Sequence, residues 1–525
     1  MGKRTVTYPL QTIALLLFFM LAVVPVLYTL ILTFAPGGSL REGLASFGPD
    51  TWLLLARSVS LAFSAAFLST LLGTAAAFLL NKTPLPLRAF FRVALLIPLF
   101  LSPYLLAVAW KDFFFLFFGT TSFISSAGGV VLVMTTIYTP LAILITGSAL
   151  AGIDARLEES ALMIAGMRST VLKVTLPLIR PAVLSAFVLT FIFSISEFSV
   201  PAFLGIRVFT TEIFTQFSAF YNHSLAILQS TLLILICVLL LLAEGKYLAD
   251  APFLAVGSRG DARRLFDLPA LRRAGMLLIP LWFLLSVVVP AGVLAAQAFR
   301  HGTEAMVRAF ALLKTTFAPS LLLALAGALL IVLTGVAAAW HRPGSGSTTT
   351  NRIFDWMLLL LFAIPSTVFG ISLIKFYNHP ALEMIYSGMG IILIGYAGKF
   401  SFIAAKLTGN ALRQIPSSLD EAARLAGIPA GRRMTGIFLP LILPTLFAAF
   451  LVSFIFSLGE LGTTIMVYPP GTEIMPIKVF TIMANAPQSL TSAMTLIVLI
   501  ITLLLITAFF LLMQPLIKKF SYARH

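Results

Sequence analysis

The sequence predicts an all-α polytopic membrane protein of about twelve spans in two tandem six-helix repeats, and three observations predict it: the composition, the length of the apolar runs and an internal duplication. Apolar residues fill 59% of the 525 positions and charged residues only 10%. The mean hydropathy of +1.04 lies outside the range of soluble globular chains. Runs of about 20 apolar residues are long enough to cross roughly 30 Å of hydrocarbon, and helices do so without stranding backbone polar groups.

The expected spans are 12–35, 52–80, 89–117, 128–152, 178–205, 223–249, 274–299, 316–340, 353–377, 386–409, 441–467 and 490–516. Met1-Gly2-Lys3-Arg4 has the charge order of a signal peptide. The apolar stretch behind it is too long for one and no small-x-small site follows, so an uncleaved first span is expected. With the N-terminus inside, most Lys and Arg fall on the cytoplasmic side, which predicts that both termini are cytoplasmic. That bias also accounts for the net charge of +16 without invoking nucleic acid. Cys237, the single cysteine, allows neither a disulfide framework nor a cysteine metal site.

The chain reads as a first repeat over 1–249, a basic linker over 250–273 and a second repeat over 274–525. A second polar stretch, 342–352, reads as a flexible cytoplasmic loop. Leu176-Pro177-Leu178-Ile179 recurs as Leu439-Pro440-Leu441-Ile442, an offset of 440 − 177 = 263, and Ser194-Ile195-Ser196-Glu197 recurs as Ser457-Leu458-Gly459-Glu460 at the same offset. Upstream, Thr146-Gly147 matches Thr408-Gly409, and Gly73 with Ala75-Ala76-Ala77 matches Gly335 with Ala337-Ala338-Ala339, both at 262. An even number of spans per repeat sets both the same way up, related by a pseudo-two-fold axis along the membrane normal. Duplicated polar residues are then the candidates to line a pathway on that axis.

Each repeat carries one internal loop too polar to span and too regular to be slack, at about 153–177 and 415–440. In the second, Ser418 and Glu421 read as a capping box, with Asp420 in the first turn and Gly427 as a left-handed end. Leu419, Ala422, Ala423 and Ala426 give this helix a small apolar face suited to a partner's groove. In the first, Asp154 caps a helix through Glu158, Glu159, Ser160 and Ala161 that Gly166 ends. Helices lying on the headgroups would have similar sequences; duplication at one topological place favours a docking element.

Glu421-Ala422-Ala423, then Gly427, then Leu439-Pro440 resembles the EAA loop of permease subunits of binding-protein-dependent ABC importers, and the resemblance covers essentially the whole chain. It implies two six-helix permease repeats that form the translocation pathway. It implies that the two loops couple to a cytoplasmic ABC ATPase dimer through Glu158, Glu159, Ser160, Ala161, Gly166, Asp420, Glu421, Ala422, Ala423 and Gly427. It implies an extracytoplasmic solute-binding protein as the other partner, and a place in the bacterial inner membrane. ATP and magnesium are then used by the ATPase, with no cofactor bound by this chain. The first loop departs from the pattern: counted from Pro177, Glu158 stands opposite Glu421, and counted from Gly166, Ser160 does, so a one-residue length change is expected between Asp154 and Pro177.

No Gly-x-x-x-x-Gly-Lys-Ser/Thr phosphate loop occurs in the sequence, so energy must come from another subunit. The five histidines show no metal-ligand spacing, and no metal site is expected. A transporter driven by an ion gradient would need a titratable cluster at mid-membrane, where only Lys399 is an evident charge, and structural pairing suits that lysine better than cargo contact. A simple channel would leave the two capped helices unexplained.

Glu197 and Glu460 lie 20 residues beyond Pro177 and Pro440, a helical rise of roughly 30 Å, near the outer mouth. A carboxylate there faces a partner or a wet cavity. Either each accepts hydrogen bonds from a neighbouring loop and shapes a gate, the favoured reading, or the two flank the cargo; Ser194, Ser196, Ser457, Thr463 and Thr464 are their neighbours in either role. Gly459-Glu460-Leu461-Gly462-Thr463-Thr464 with Pro469-Pro470-Gly471 is similar to the ferric-iron branch of fused permeases, with thiamine, aminoethylphosphonate and polyamine importers as alternatives.

Overall fold

The computed structural model describes residues 9–35, 39–248, 269–340, 348–483 and 485–522, and among them the regular structure is entirely helical. Residues 250–268 of the expected linker and 342–347 of the second polar stretch lie outside the described residues. A helix already begins at Thr348, so 348–352 are helical rather than loop: the apolar run behind them extends backward, where each added residue gains a backbone hydrogen bond.

Ten helices among the described residues are long and apolar enough to span, from Thr12–Phe34 to Gln488–Ala508, and each overlaps an expected span, although Ala155–Ser196 also takes in the first loop and the spans expected over 178–205 and 441–467 end at Ser196 and Gly459. The two remaining spans are bent pairs, Arg88–Phe100 with Pro103–Phe118 at 98° and Ile353–Ala363 with Ser366–Tyr377 at 107°. Both bends fall at a proline. Pro103 lacks an amide donor and pushes Ser102 into an extended conformation (φ −61°, ψ 134°); Pro365 is itself extended (φ −54°, ψ 140°). In the second bend the freed carbonyls are satisfied by the buried Lys399, whose Nζ donates to Phe362 O at 3.1 Å and Ile364 O at 2.5 Å. This is the structural pairing expected of that lysine.

The duplication extends to details the hydropathy pattern does not show. π-helical turns interrupt the first helix of each repeat, at Phe19–Val23 and Leu284–Val288, and open the fifth, at Val171–Thr175 and Met434–Phe438. The repeated glycine of the Gly-x-Ala-Ala-Ala segments has one role in both places. A Cβ on Gly73 would lie 2.5 Å from Ala142 Cβ, and one on Gly335 would lie 2.5 Å from Ala404 Cβ. Small residues let two helices touch where lipid supplies no hydrophobic drive to hold them together.

The described helices form two compact units, and the units cut across the repeat boundaries. One comprises 1–34, 315–477 and 498–525, the other 35–314 and 478–497. In the first, the helix of Val24–Phe34 packs on Ser366–Tyr377, and the Tyr377 hydroxyl donates to Leu21 O at 2.9 Å, a carbonyl within the π turn. In the second, Pro269–Phe283 packs on Pro49–Lys82, and Phe283 meets Phe90 and Phe91 edge to face. Each unit thus contains the first helix of the other repeat.

Candidate coupling loops and membrane carboxylates

In the first loop, the Asp154 carboxylate accepts from Arg156 N at 3.0 Å and starts the helix Ala155–Thr170, which breaks at Gly166 (φ 72°, ψ 172°). A non-glycine residue with that φ is strained, so this position requires glycine. Arg156, Leu157, Glu159, Ser160, Met163 and Ile164 form the exposed face, with Met163 and Ile164 at 89% and 88% exposure; Ala161 is half-buried. Glu158 does not belong to that face. It is fully buried, accepting from Lys82 Nζ at 2.6 Å and Thr175 Oγ1 at 2.9 Å. The expectation that Glu158 and Glu159 face a partner together is corrected: adjacent helical residues point about 100° apart, and Lys82 draws Glu158 inward.

In the second loop, the helix runs over Ser417–Leu425 with Pro416 at its N-cap and no side-chain cap. The expected Ser418–Glu421 capping box is absent because Ser418 lies inside the helix, where its backbone is already helical. Asp420 instead pairs with Arg424 at 2.8 Å and Arg433 at 3.5 Å. The end is as expected: Gly427 has φ 71°, Gly427 N donates to Arg424 O and Ile428 N to Ala423 O, both at 3.0 Å, the Schellman pattern. Glu421, Ala422 and Ala426 are exposed, whereas Ala423 is buried against the body of the unit. Ala423 is therefore removed from the expected apolar docking face, and Leu425, 90% exposed, joins Leu419 on the open side.

The two loops differ in length at more than one place. The left-handed glycines are 427 − 166 = 261 apart, while the π turns are 434 − 171 = 263 apart. Two extra residues lie in the second loop between glycine and π turn. With the upstream offset of 262, one single-residue change before the glycine and a two-residue change after it replace the single change expected. Aligned on the glycines, Ser160 stands opposite Glu421, and both are exposed.

Glu197 ends the helix Leu176–Ser196; its carboxylate accepts from the Tyr138 hydroxyl at 3.0 Å, Ser199 N at 2.8 Å and Val200 N at 3.3 Å. Glu460 accepts from Thr463 N at 2.7 Å, Thr464 N at 2.9 Å and Thr464 Oγ1 at 2.6 Å. Thr463 Oγ1 in turn donates to Ser366 O at 3.2 Å, at the bend of its unit. Both carboxylates thus hold the start of the next short helix, Ser199–Leu204 and Thr464–Val467. Hydrogen bonds from the neighbouring loop are thus present at both carboxylates. Ser194 and Ser457 are buried, with hydroxyls that find no partner among the described residues; Ser196 is half-buried.

Two residues were not anticipated. Lys82 reads in sequence as an ordinary loop charge. Asp112 is buried in the second arm of the first bent pair, accepting from Gln488 Nε2 at 2.6 Å and Ser492 Oγ at 2.5 Å. A lone carboxylate in an apolar run was the available signal. Among the described residues, no group of three or more His, Cys, Asp or Glu could hold a metal ion. A cavity of about 440 Å³ opens beside Asn378, His379, Glu383, Tyr386 and Tyr468.

The family model of the binding-protein-dependent transport system inner membrane component matches this chain twice, over 69–250 and 331–522. Over 463 residues the chain is 26% identical to the Fe(3+)-transport system permease protein FbpB 2 of Haemophilus influenzae, covering 87% of this chain and 89% of that protein. It is 29% identical over 189 residues to the putative 2-aminoethylphosphonate transport system permease protein PhnV of Salmonella paratyphi A, covering 35% of this chain and 69% of that one. A probable sulfate transport system permease protein of Chlorella vulgaris is 27% identical over 30% of this chain and 65% of its own. Two family domains on one chain, in a multi-pass helical membrane fold, make this protein a fused ABC importer permease, a member of the family of binding-protein-dependent transport system inner membrane components.

Proposed function

We propose that this permease forms the translocation pathway for ferric ion, delivered by an extracytoplasmic binding protein and driven by a cytoplasmic ABC ATPase dimer that grips the two coupling loops. ATP and magnesium are used by the ATPase, and no cofactor is held by this chain. The permease lies in a bacterial inner membrane with both termini and both loops on the cytoplasmic side. ATP favours one arrangement of the spans over another by its differential affinity, and the pathway alternates between inward-open and outward-open.

The observation that carries this reading is the pair of outward-facing helices at equivalent places in the two repeats, each closed by a left-handed glycine, Gly166 and Gly427. Their exposed residues, Glu159 and Ser160 in one and Glu421 and Ala422 in the other, are the proposed ATPase contacts, with Asp420 beside them. Ser194, Ser196, Glu197, Ser457, Glu460, Thr463 and Thr464 are proposed to shape the gate rather than to ligate cargo. Ferric ion is favoured by a relative aligned over nearly the whole chain, the Haemophilus protein named for Fe(3+) transport. Aminoethylphosphonate is the second reading, supported by a relative that spans only 35% of this chain.

The test is uptake by proteoliposomes holding the permease, its ATPase and its binding protein, supplied in turn with ferric ion and aminoethylphosphonate. ATP-dependent accumulation of ferric ion is expected. Accumulation of the phosphonate alone overturns the cargo, and uptake that survives ATP depletion but collapses with an ionophore overturns the energy source.

A further inference from the structure

The two coupling loops are attached to their helices in unlike ways. Glu158, on the inner face of the first coupling helix, bonds two other elements at once: Lys82 Nζ at 2.6 Å, the last residue of the helix Pro49–Lys82, and Thr175 Oγ1 at 2.9 Å, in the π turn that opens the next span. Lys82 and Glu158 are 2% and 0% exposed. The end of the Pro49–Lys82 helix is itself tightly held. Asn81 Nδ2 donates to Ala77 O at 2.8 Å, the Thr83 hydroxyl donates to Leu79 O, and Arg92 donates to Leu80 O at 2.9 Å. Around it packs an apolar cluster that includes Leu80, Leu95, Leu150 and Ile179.

Among the described residues, the second coupling helix shows no such arrangement. The Asp420 pairs, to Arg424 of its own helix and Arg433 at the head of the following one, are partly exposed. The smaller cluster beneath it has Ala339, Leu412 and Ile442 as its buried members. Aligned on the glycines, Leu419 takes the place of Glu158. A buried charge pair with a third hydrogen bond has one narrow geometry and resists separation. Partly exposed pairs are screened and exchange with water.

From this difference we infer that Lys82, Glu158 and Thr175 are a staple that makes the first coupling helix move as one body with the second and fifth spans, while the second coupling helix is the compliant one. Lys82 and Glu158 are positioning residues for transport: they touch neither cargo nor nucleotide, but carry displacement of the loop into the bundle. The inference rests on the reading of the loops as ATPase contacts. It adds that the two repeats do unequal mechanical work, and that the glutamate which the proline spacing sets opposite Glu421 faces the membrane bundle rather than the ATPase.

The test uses the assembled transporter in proteoliposomes and reads three quantities for each variant: ATPase subunit retained, ATP hydrolysed, and cargo moved per ATP. Because Lys82→Ala alone strands a buried carboxylate and risks misfolding, the central variant is the double exchange Lys82→Met with Glu158→Leu, which removes both charges and keeps the volume. The staple predicts that this variant inserts, keeps its ATPase and hydrolyses ATP, yet moves about tenfold less cargo per ATP, within the span of coupling energies for residues in contact. The reversed pair, Lys82→Glu with Glu158→Lys, should recover more cargo per ATP than either of its single variants. Normal cargo per ATP in the double apolar variant overturns the staple, as does loss of the bound ATPase, which would make Glu158 a docking residue. Glu421→Lys, run alongside, separates the two readings: if it keeps both ATPase and uptake, the coupling-loop assignment itself fails, whatever the staple variants do.

Discussion

The Lys399 ammonium donates to Phe362 O at 3.1 Å, closing the end of a helix that Pro365 has broken. An ion in the middle of an apolar span is thereby used to mend a backbone, since the bend at 107° leaves carbonyls that lipid cannot satisfy. Lys399→Met should lower the unfolding free energy by about 1–3 kcal/mol for each carbonyl left unsatisfied, read as a drop in the thermal midpoint of purified protein. The cargo concentration for half-maximal uptake should be unchanged. A shift in that concentration without loss of stability would place Lys399 on the pathway instead.

Glu460 takes three hydrogen bonds from Thr463 and Thr464, and glutamine replaces one accepting oxygen by a donor. Glu460→Gln should therefore cost about 1–3 kcal/mol of local stability and slow maximal uptake. Half-saturation should hold steady, because the carboxylate is occupied by its own loop. Glu197→Gln should behave alike, with the Tyr138 hydroxyl among the partners disturbed. A large rise in half-saturation for both variants would make them cargo residues.

Gly166 and Gly427 share a left-handed backbone at φ 72° and 71°. Alanine at either site should cost about 1–2 kcal/mol locally; asparagine should cost less at the Schellman glycine Gly427, but not at Gly166, whose ψ of 172° lies in a region essentially open to glycine alone. Recovery of the ATPase subunit on affinity purification should fall in the order glycine, asparagine, alanine at Gly427, and should fall for both substitutions at Gly166. Equal recovery for all three would show that the loop's end does not set its docking geometry.

Gly73 and Gly335 each leave no room for a side chain against an alanine on the facing helix. Gly73→Ala and Gly335→Ala force those helices apart and should each destabilise by about 1–3 kcal/mol, measured by thermal unfolding in detergent. Unchanged midpoints would mean that the helices separate at no cost.

Much of this architecture is legible in sequence because lipid imposes a length on each span and duplication repeats the rest. The apolar runs locate every spanning helix, and Pro103 and Pro365 mark both bends. What sequence conceals is which helix touches which, since in a membrane every helix offers its neighbours a similar apolar surface. The placement of each repeat's first helix in the other unit has no hydropathic signature. Nor has the Lys82–Glu158 pair, whose members stand 76 positions apart, so that Glu158 and Glu159 look alike until the fold separates them. The Ser418–Glu421 box fails for a local reason: Pro416 starts the helix sooner, and Ser418 is already inside it.

The coupling loops bear the account's central claim, and site-directed cross-linking tests it most directly. In a Cys237→Ser background, Ser160→Cys and Glu421→Cys would each be probed with a short thiol cross-linker in membranes containing the ATPase subunit. Cross-links from both positions to that subunit, changing in yield when ATP is added, are the predicted result. Both cysteines failing to reach the ATPase while reacting readily with a lipid-phase maleimide would contradict it.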